Sequence, residues 1–113
     1  MQARIGREAV VIGAGMGGLA AAKALSAHFD HVTVLERDAL ATESAARSGT
    51  PQARHPHALL ISGQHVLDEL FPGFAKELET AGAMYLRVGR DFWWERPGFD
   101  PYPVRDLGYG KIG

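Results

Sequence analysis

The chain contains no cysteine among its 113 residues. Disulfide frameworks, thiolate nucleophiles and cysteine-ligated metal centres are therefore excluded. Neither sign of charge is in excess, since 12 Lys and Arg residues stand against 13 Asp and Glu residues and give a net charge of −1. This balance predicts no nucleic-acid partner and no attraction to an anionic membrane surface.

Long apolar runs are missing as well. The most apolar stretch, residues 9–25, is interrupted by four glycines and by Lys23, whereas about 20 continuous apolar residues are needed to cross a bilayer. The same stretch does not follow the pattern of a secretory signal, because Glu8 lies in the part that would have to be basic. We therefore expect no membrane segment and a cytoplasmic location.

The first forty residues have the pattern of a βαβ unit. Residues 9–12 form a short, β-branched apolar run that is typical of a strand buried on both faces. Residues 19–29 are rich in alanine and carry apolar residues at helical spacing, and residues 32–35 form a second buried-strand run that ends at Glu36. A strand, a helix and a strand in this order predict an α/β fold with two parallel strands joined by a right-handed crossover.

The turn between the first strand and the helix satisfies the pattern G-x-G-x-x-G. The first glycine of such a turn allows a tight bend, the second lets the backbone approach a pyrophosphate, and the third lets the helix pack closely on the strand. The helix N-terminus then offers unpaired N–H groups and a partial positive charge to the phosphates. The turn residues predicted to contact a dinucleotide are Gly13, Ala14, Gly15, Met16, Gly17 and Gly18.

Glu36 is the acid that the motif requires about 20 residues further along the chain. Its carboxylate can accept hydrogen bonds from both hydroxyls of an adenosine ribose, which favours FAD or NAD over NADP. Arg37 is a second candidate for cofactor contact, but Glu36 beside it would repel a 2′-phosphate, so a solvated charge is the favoured interpretation. The alternative for the whole pattern is a glycine-rich turn in an unrelated α/β domain, and the coincidence of both strands, the helix and the acid argues against it.

The segments Val11–Ala22 and Val34–Asp38 resemble the amino terminus of FAD-dependent monooxygenases and related oxidoreductases of the para-hydroxybenzoate hydroxylase fold. The Gly-Gly pair inside the turn and the Glu-Arg pair after the second strand are the flavoprotein form of the fingerprint. The resemblance implies a Rossmann-type parallel sheet with helices, present here as the incomplete, N-terminal portion of a larger flavoprotein fold. It also implies FAD as cofactor and, for the parent enzyme, NAD(P)H as reductant and a small organic substrate.

Residues 39–57 have no regular period and predict a loop on the cofactor side of the sheet. Residues 47–60 are similar to the Arg-x-Gly-x-Pro-Gln-x-x-His-x-His-x-Leu-Leu segment of flavoproteins related to epoxidases and halogenases, and the Leu-Phe-Pro-Gly sequence that follows resembles the same group. This resemblance implies that Arg47 lies near the ribityl–pyrophosphate region of FAD. It further implies that Gln52 and His57 lie on a loop close to the flavin.

The rest of the chain is predicted to complete a single partial domain over residues 1–113, whose βαβ core is residues 8–38. The remaining elements, in chain order, are helices over 58–71 and 74–80 with Gly82 as a C-terminal cap, strands over 84–88 and 92–95 with a hairpin turn between them, and an irregular tail over 96–113.

Two other clusters suggest functions that the sequence does not favour. His55 and His57 could ligate a metal, but no third ligand of matching spacing lies nearby, and a metal site needs three or four ligands. The aromatic residues of 92–102 could line a substrate pocket, but core packing is favoured because aromatics usually bury their large apolar area. No catalytic constellation is found, which fits a flavin enzyme in which the cofactor carries the chemistry.

The chain is several times shorter than a complete flavin monooxygenase of the resembled fold, and the Gly-Asp pair of that family's later part is missing from it. We therefore expect the FAD-binding amino-terminal part of a flavin-dependent oxidoreductase, inactive by itself. Two alternatives remain open. One is a stand-alone module that binds NAD or ADP-ribose without catalysis, and the other is a truncated remnant without function.

Overall fold

The computed structural model of the chain describes residues 4–87, 90–91, 97–98 and 111–112. Contacts between Cα atoms divide the chain into two units, residues 1–56 and residues 57–113. The first unit contains strand β1 (Gly6–Ile12), helix α1 (Met16–Leu25), strand β2 (Phe29–Leu35) and a 3₁₀ helix (Pro51–Arg54). The second unit contains helices α2 (Ile61–Leu70) and α3 (Phe74–Thr80) and strands β3 (Leu86–Arg87) and β4 (Lys111–Ile112).

Strands β1 and β2 are parallel neighbours, and α1 lies between them in the chain. The register pairs Ile12 with Leu35. One residue further on, the N–H of Gly13 donates to the carbonyl of Leu35 at 2.7 Å. Both strands therefore end at the same level, and the glycine-rich turn after β1 lies beside Glu36 after β2. The predicted α/β fold of Rossmann type is confirmed.

The boundaries of α1, β1 and β2 differ from the predicted ones. Helix α1 begins at Met16 inside the glycine-rich turn and ends at Leu25. The helix was expected to reach Phe29, which is wrong, because Phe29 opens β2 and pairs with Gly6 of β1. Both strands are longer than their apolar runs, since backbone pairing continues through polar residues whose side chains give no strand signal.

Burial of β1 on both faces is wrong for the residues that the structure describes. Val11 is 9% exposed, whereas Val10 is 60% and Ile12 is 87% exposed. Successive side chains of a strand point to opposite faces, and α1 packs on the face that carries Val11, whose Cγ1 lies 3.6 Å from the ideal Cβ position of Gly18. The opposite face, with Val10 and Ile12, has no helix of the first unit over it in the described part.

In the second unit, α2 packs on α3 across a tight turn. The rings of Phe71 and Phe74 lie 6.4 Å apart between centroids, and Leu67 is buried. Gly73, with φ of +90°, ends the turn, and Gly82, with φ of +105°, follows α3. Helix α3 has the predicted bounds, while α2 begins three residues later than predicted, at Ile61.

Strand β3 begins at Leu86, two residues later than predicted, and pairs antiparallel with β4, so Leu86 lies opposite Ile112. The tail over 96–113 was expected to be irregular, which is wrong at β4, because backbone pairing recruits a Lys-Ile pair that is too short to be recognised by pattern. The predicted strand over 92–95 and the aromatic cluster lie outside the described residues. No helix in the described part of the chain has both the length and the apolar character to span a membrane.

Gly18→Ala tests the close approach of α1 to the turn. A Cβ at this position would lie 2.0 Å from the Gly13 carbonyl oxygen, a backbone atom that cannot move aside freely. We expect the free energy of unfolding to fall by about 2 kcal/mol or more, as for other overpacked sites. Urea denaturation followed by circular dichroism measures the effect.

Gly17→Ala is the matched control, because a Cβ there meets no atom within 4 Å. Alanine is the better helix former, so the free energy of unfolding should stay the same or rise by up to about 1 kcal/mol. Equal losses of stability in the two variants would contradict the packing role of Gly18.

Candidate functional site

The glycine-rich turn leaves β1 through one residue in the left-handed region, Gly13, whose φ is +99°. Ala14, which follows, is only 4% exposed. Gly15 is the N-cap of α1 and has extended backbone, with no side chain capping the first turn and no acidic residue within it. The N–H groups at this helix end are therefore left available to an anion.

Nothing within the protein itself requires glycine at two positions of the turn, Gly15 and Gly17. An ideal Cβ at Gly15 or Gly17 meets no protein atom within 4 Å. Neither residue has a φ that alanine would resist. The space beside them is open, which fits a surface that the backbone must present closely to a ligand such as a pyrophosphate.

Glu36 follows β2 and turns its carboxylate back toward the glycine-rich turn. Its Oε2 accepts a hydrogen bond from the N–H of Ala14 at 2.7 Å, and its Oε1 accepts one from the N–H of Asp38 at 3.1 Å. The side chain is 15% exposed. An ionised carboxylate has about four acceptor positions, so these bonds orient Glu36 and leave acceptor capacity for the hydroxyls of a ribose.

The environment of Glu36 stabilises its ionised form. The hydrogen bond from Ala14, then that from Asp38, and the positive charge of Arg47 lower the pKa of the carboxyl from the ordinary 4.5 to about 2. Hydrogen bonds to the charged form of an acid favour that form. The site therefore presents a fixed negative charge at neutral pH, which suits hydroxyl donors and opposes a 2′-phosphate.

Arg47 joins the same group of atoms from the loop that follows β2. Its Nη2 donates to the carbonyl oxygen of Ala14 at 3.0 Å, and its Nη1 lies 3.3 Å from Oε2 of Glu36. That second contact is an ion pair without hydrogen-bond geometry, so Nη1 is buried with an unsatisfied donor. A phosphate or ribose oxygen is the type of acceptor that such a donor binds.

The structure brings most of the predicted site residues together in the first unit. The six residues of the turn, Glu36 and Arg47 meet at the carboxyl ends of the two strands. Arg37 has 79% of its side chain exposed and lies 3.8 Å from the carboxylate of Asp38, as expected of a solvated charge. Gln52 is exposed in the 3₁₀ helix of the same unit, and His57 is the exposed first residue of the second unit.

Sequence reasoning missed the role of Asp38. Its Oδ1 accepts from the hydroxyl of Ser48 at 3.1 Å, and its Oδ2 accepts from the N–H of Gly49 at 2.7 Å. These bonds connect the end of β2 to the far end of the following loop. The only signal in the sequence is an Asp just after the Glu-Arg pair, and such a residue is common on protein surfaces.

A parallel βαβ unit with this turn, and with an acid at the end of its second strand, defines a dinucleotide-binding domain of Rossmann type. Residues 11–70, more than half of the chain, match the NAD(P)-binding Rossmann-like domain, and the chain belongs to that family. It is similar to Protein Rv3254 of Mycobacterium tuberculosis, with 44% identity over 89 residues. That alignment covers 76% of this chain and 19% of the relative, so the chain spans about a fifth of the length of the curated relative it matches.

Glu36→Gln tests the electrostatics of the site. Because the folded-state pKa of Glu36 is lowered from 4.5 to about 2, its ionisation adds stability that is complete above the unfolded pKa and is lost as pH falls from about 5 to 2. We therefore expect the wild type to exceed the variant in free energy of unfolding near pH 7, by a difference that shrinks over this range.

Urea unfolding at a series of pH values between 2 and 7 makes the measurement. Glu8→Gln, which removes an exposed carboxylate from β1, is the matched control for the loss of one negative charge. A difference between the wild type and Glu36→Gln that stays constant with pH would show that the Glu36 carboxylate is not held as described.

Proposed function

We propose that this chain is the FAD-binding amino-terminal part of a flavin-dependent oxidoreductase of the monooxygenase type. The observation that carries the proposal is the Glu36 carboxylate, held 2.7 Å from the Ala14 N–H beside an uncapped, glycine-rich helix N-terminus. Such an arrangement offers one place to a pyrophosphate and another to a ribose, which are the two shared parts of every ADP-containing dinucleotide.

The residues that would hold the cofactor divide by the chemistry of its parts. The N–H groups at Gly15, Met16 and Gly17 suit the pyrophosphate, because no side chain shields them. Glu36 suits the ribose hydroxyls. The unsatisfied Nη1 of Arg47 suits an oxygen of the phosphate or of the ribityl chain.

The choice of FAD rests on the form of the fingerprint and on the segment around Arg47. The Gly-Gly pair, the Glu-Arg pair and the Arg-x-Gly-x-Pro-Gln segment resemble flavoproteins. Bound FAD would supply redox chemistry, with the isoalloxazine ring accepting and passing on electrons. Gln52 and His57 are proposed to contribute to the flavin side of the site, and a small organic substrate and NAD(P)H are proposed for the complete enzyme.

NAD is the second candidate ligand. The family to which the chain belongs is described as NAD(P)-binding, and Glu36 is compatible with the free 2′-hydroxyl of NAD as it is with that of FAD. NADP is disfavoured, because its 2′-phosphate would meet the fixed negative charge of Glu36.

Titration of the purified chain with FAD, NAD, NADP and ADP-ribose distinguishes these ligands. We expect FAD to bind most tightly, with its flavin fluorescence changed on binding, and NADP to bind most weakly. Isothermal titration calorimetry measures all four on one scale. Tighter binding of NAD than of FAD would overturn the flavin assignment and leave the dinucleotide assignment standing.

Gly15→Val separates ligand binding from folding. A Cβ at this position meets no protein atom within 4 Å, so the free energy of unfolding should change by no more than about 0.5 kcal/mol. The valine side chain would occupy the space proposed for the pyrophosphate, so FAD affinity should fall by more than about tenfold, a loss of more than about 1.4 kcal/mol.

Glu36→Ala provides the second variant for this titration, since it removes the proposed acceptor for the ribose. Circular dichroism of each variant confirms that it is folded before titration. Undiminished FAD binding by a folded Gly15→Val chain would contradict the placement of the pyrophosphate at the turn.

A further inference from the structure

We propose that Asp38 is a positioning residue for the dinucleotide site: its carboxylate fastens the loop after β2 and thereby holds Arg47 against Glu36 and the glycine-rich turn. The inference rests on the proposed function for its ligand and on the contacts of Asp38 for its mechanism. Asp38 itself need not touch the dinucleotide.

The contacts of Asp38 form a closed ring with those of Arg47. The backbone N–H of Asp38 binds Oε1 of Glu36 at 3.1 Å, and the side chain of Asp38 binds Ser48 and Gly49. Arg47, which directly precedes Ser48, returns to Oε2 of Glu36 at 3.3 Å. One residue therefore connects the acid at the end of β2 to the arginine that contacts the same acid from the loop.

The loop has few other attachments. Residues 39–46 are all exposed, and none of them forms a hydrogen bond or ion pair with another residue that the structure describes. The next backbone hydrogen bond along the loop is at Arg47, whose carbonyl accepts from the N–H of Thr50 at 3.1 Å. A long flexible side chain such as that of Arg47 loses conformational freedom when it is held in one geometry. Fastening the neighbouring backbone beforehand reduces the part of that loss that ligand binding would otherwise incur.

Gly49 supports the same interpretation. A Cβ at Gly49 would lie 2.7 Å from Oδ2 of Asp38, the atom that its own N–H binds. The side chain of Asp38 is 13% exposed, in contrast with the 79% of Arg37 beside it. The carboxylate thus fits closely against a backbone that has no side chain at the point of contact.

A double-mutant cycle on FAD binding tests whether Asp38 acts through Arg47. We expect Asp38→Ala to weaken FAD binding about tenfold in the wild-type chain, which corresponds to the loss of charge-assisted hydrogen bonds. In an Arg47→Ala background the same substitution should weaken binding less than about twofold, because the residue being positioned is gone. Equal losses in both backgrounds, or no loss in either, would overturn the proposal.

Asp30→Ala is the matched control, since Asp30 is an aspartate of the same unit whose ion pair with Arg4 at 3.5 Å lies on the surface. It should leave FAD affinity within about twofold of the wild type. If Asp38→Ala fails to fold, Ser48→Ala serves in the same cycle, because it removes only one hydroxyl from the ring, and a loss of about threefold is expected.

The side-chain ¹⁵N resonances of Arg47 give a readout that requires no ligand. In the wild type, pairing with Glu36 and Ala14 should restrict the guanidinium and separate its Nη signals, whereas Asp38→Ala should average them and Asp30→Ala should not. Unchanged Arg47 signals in a folded Asp38→Ala chain would overturn the positioning role. A wild-type chain that shows these signals yet binds no dinucleotide would refute the proposed function and leave the positioning of Arg47 by Asp38 supported.

Discussion

The rest of the site depends on the hydrogen bond from the Ala14 N–H to the carboxylate of Glu36, at 2.7 Å. It is possible only because β1 and β2 run parallel in a register that opposes Ile12 to Leu35. A slip of one residue would turn the side chain of Glu36 to the other face of the sheet. The same register keeps the turn, the start of α1 and the acid at one edge, where open α/β sheets bind their ligands.

The parts that could be predicted from sequence are those in which neighbouring residues determine the outcome. The turn, the order of strand and helix and the acid after β2 are local patterns, and the sequence predicts each of them. Arg47 was named through a resemblance between sequences, and its contact with Ala14 across 33 positions of the chain has no local signal. The hydrogen bonds of Ser48 and Gly49 to the Asp38 carboxylate have no local signal either, since these partners lie 10 and 11 positions from Asp38 across a loop without a regular pattern.

On the exposed face of the β1–β2 pair, the burial expected from the apolar sequence pattern differs from the burial in the structure. The apolar runs at 9–12 and 32–35 have the composition of strands covered on both sides, yet Ile12 and Leu35 are 87% and 53% exposed. The apolar composition of a segment indicates that it is stable as a buried strand. The exposed fraction of each side chain shows which face the other described residues cover. A strong hydrophobic pattern therefore predicts the strand reliably and says less about which of its two faces is covered.

The glycines of the turn give the strongest indication of function, because the structure shows a different reason for glycine at different positions. Gly13 is required by a positive φ, and Gly18 is required by a carbonyl oxygen 2.0 Å from where its Cβ would lie. Neither a positive φ nor a close backbone atom requires glycine at Gly15 or Gly17, since the space where a Cβ would lie is open. Open space for a Cβ that the protein does not carry, beside helix N–H groups without a side-chain cap, points to a constraint from outside the chain. An anion that binds the N–H groups at the start of α1 would need this space, and the chemistry of a helix N-terminus favours such an anion.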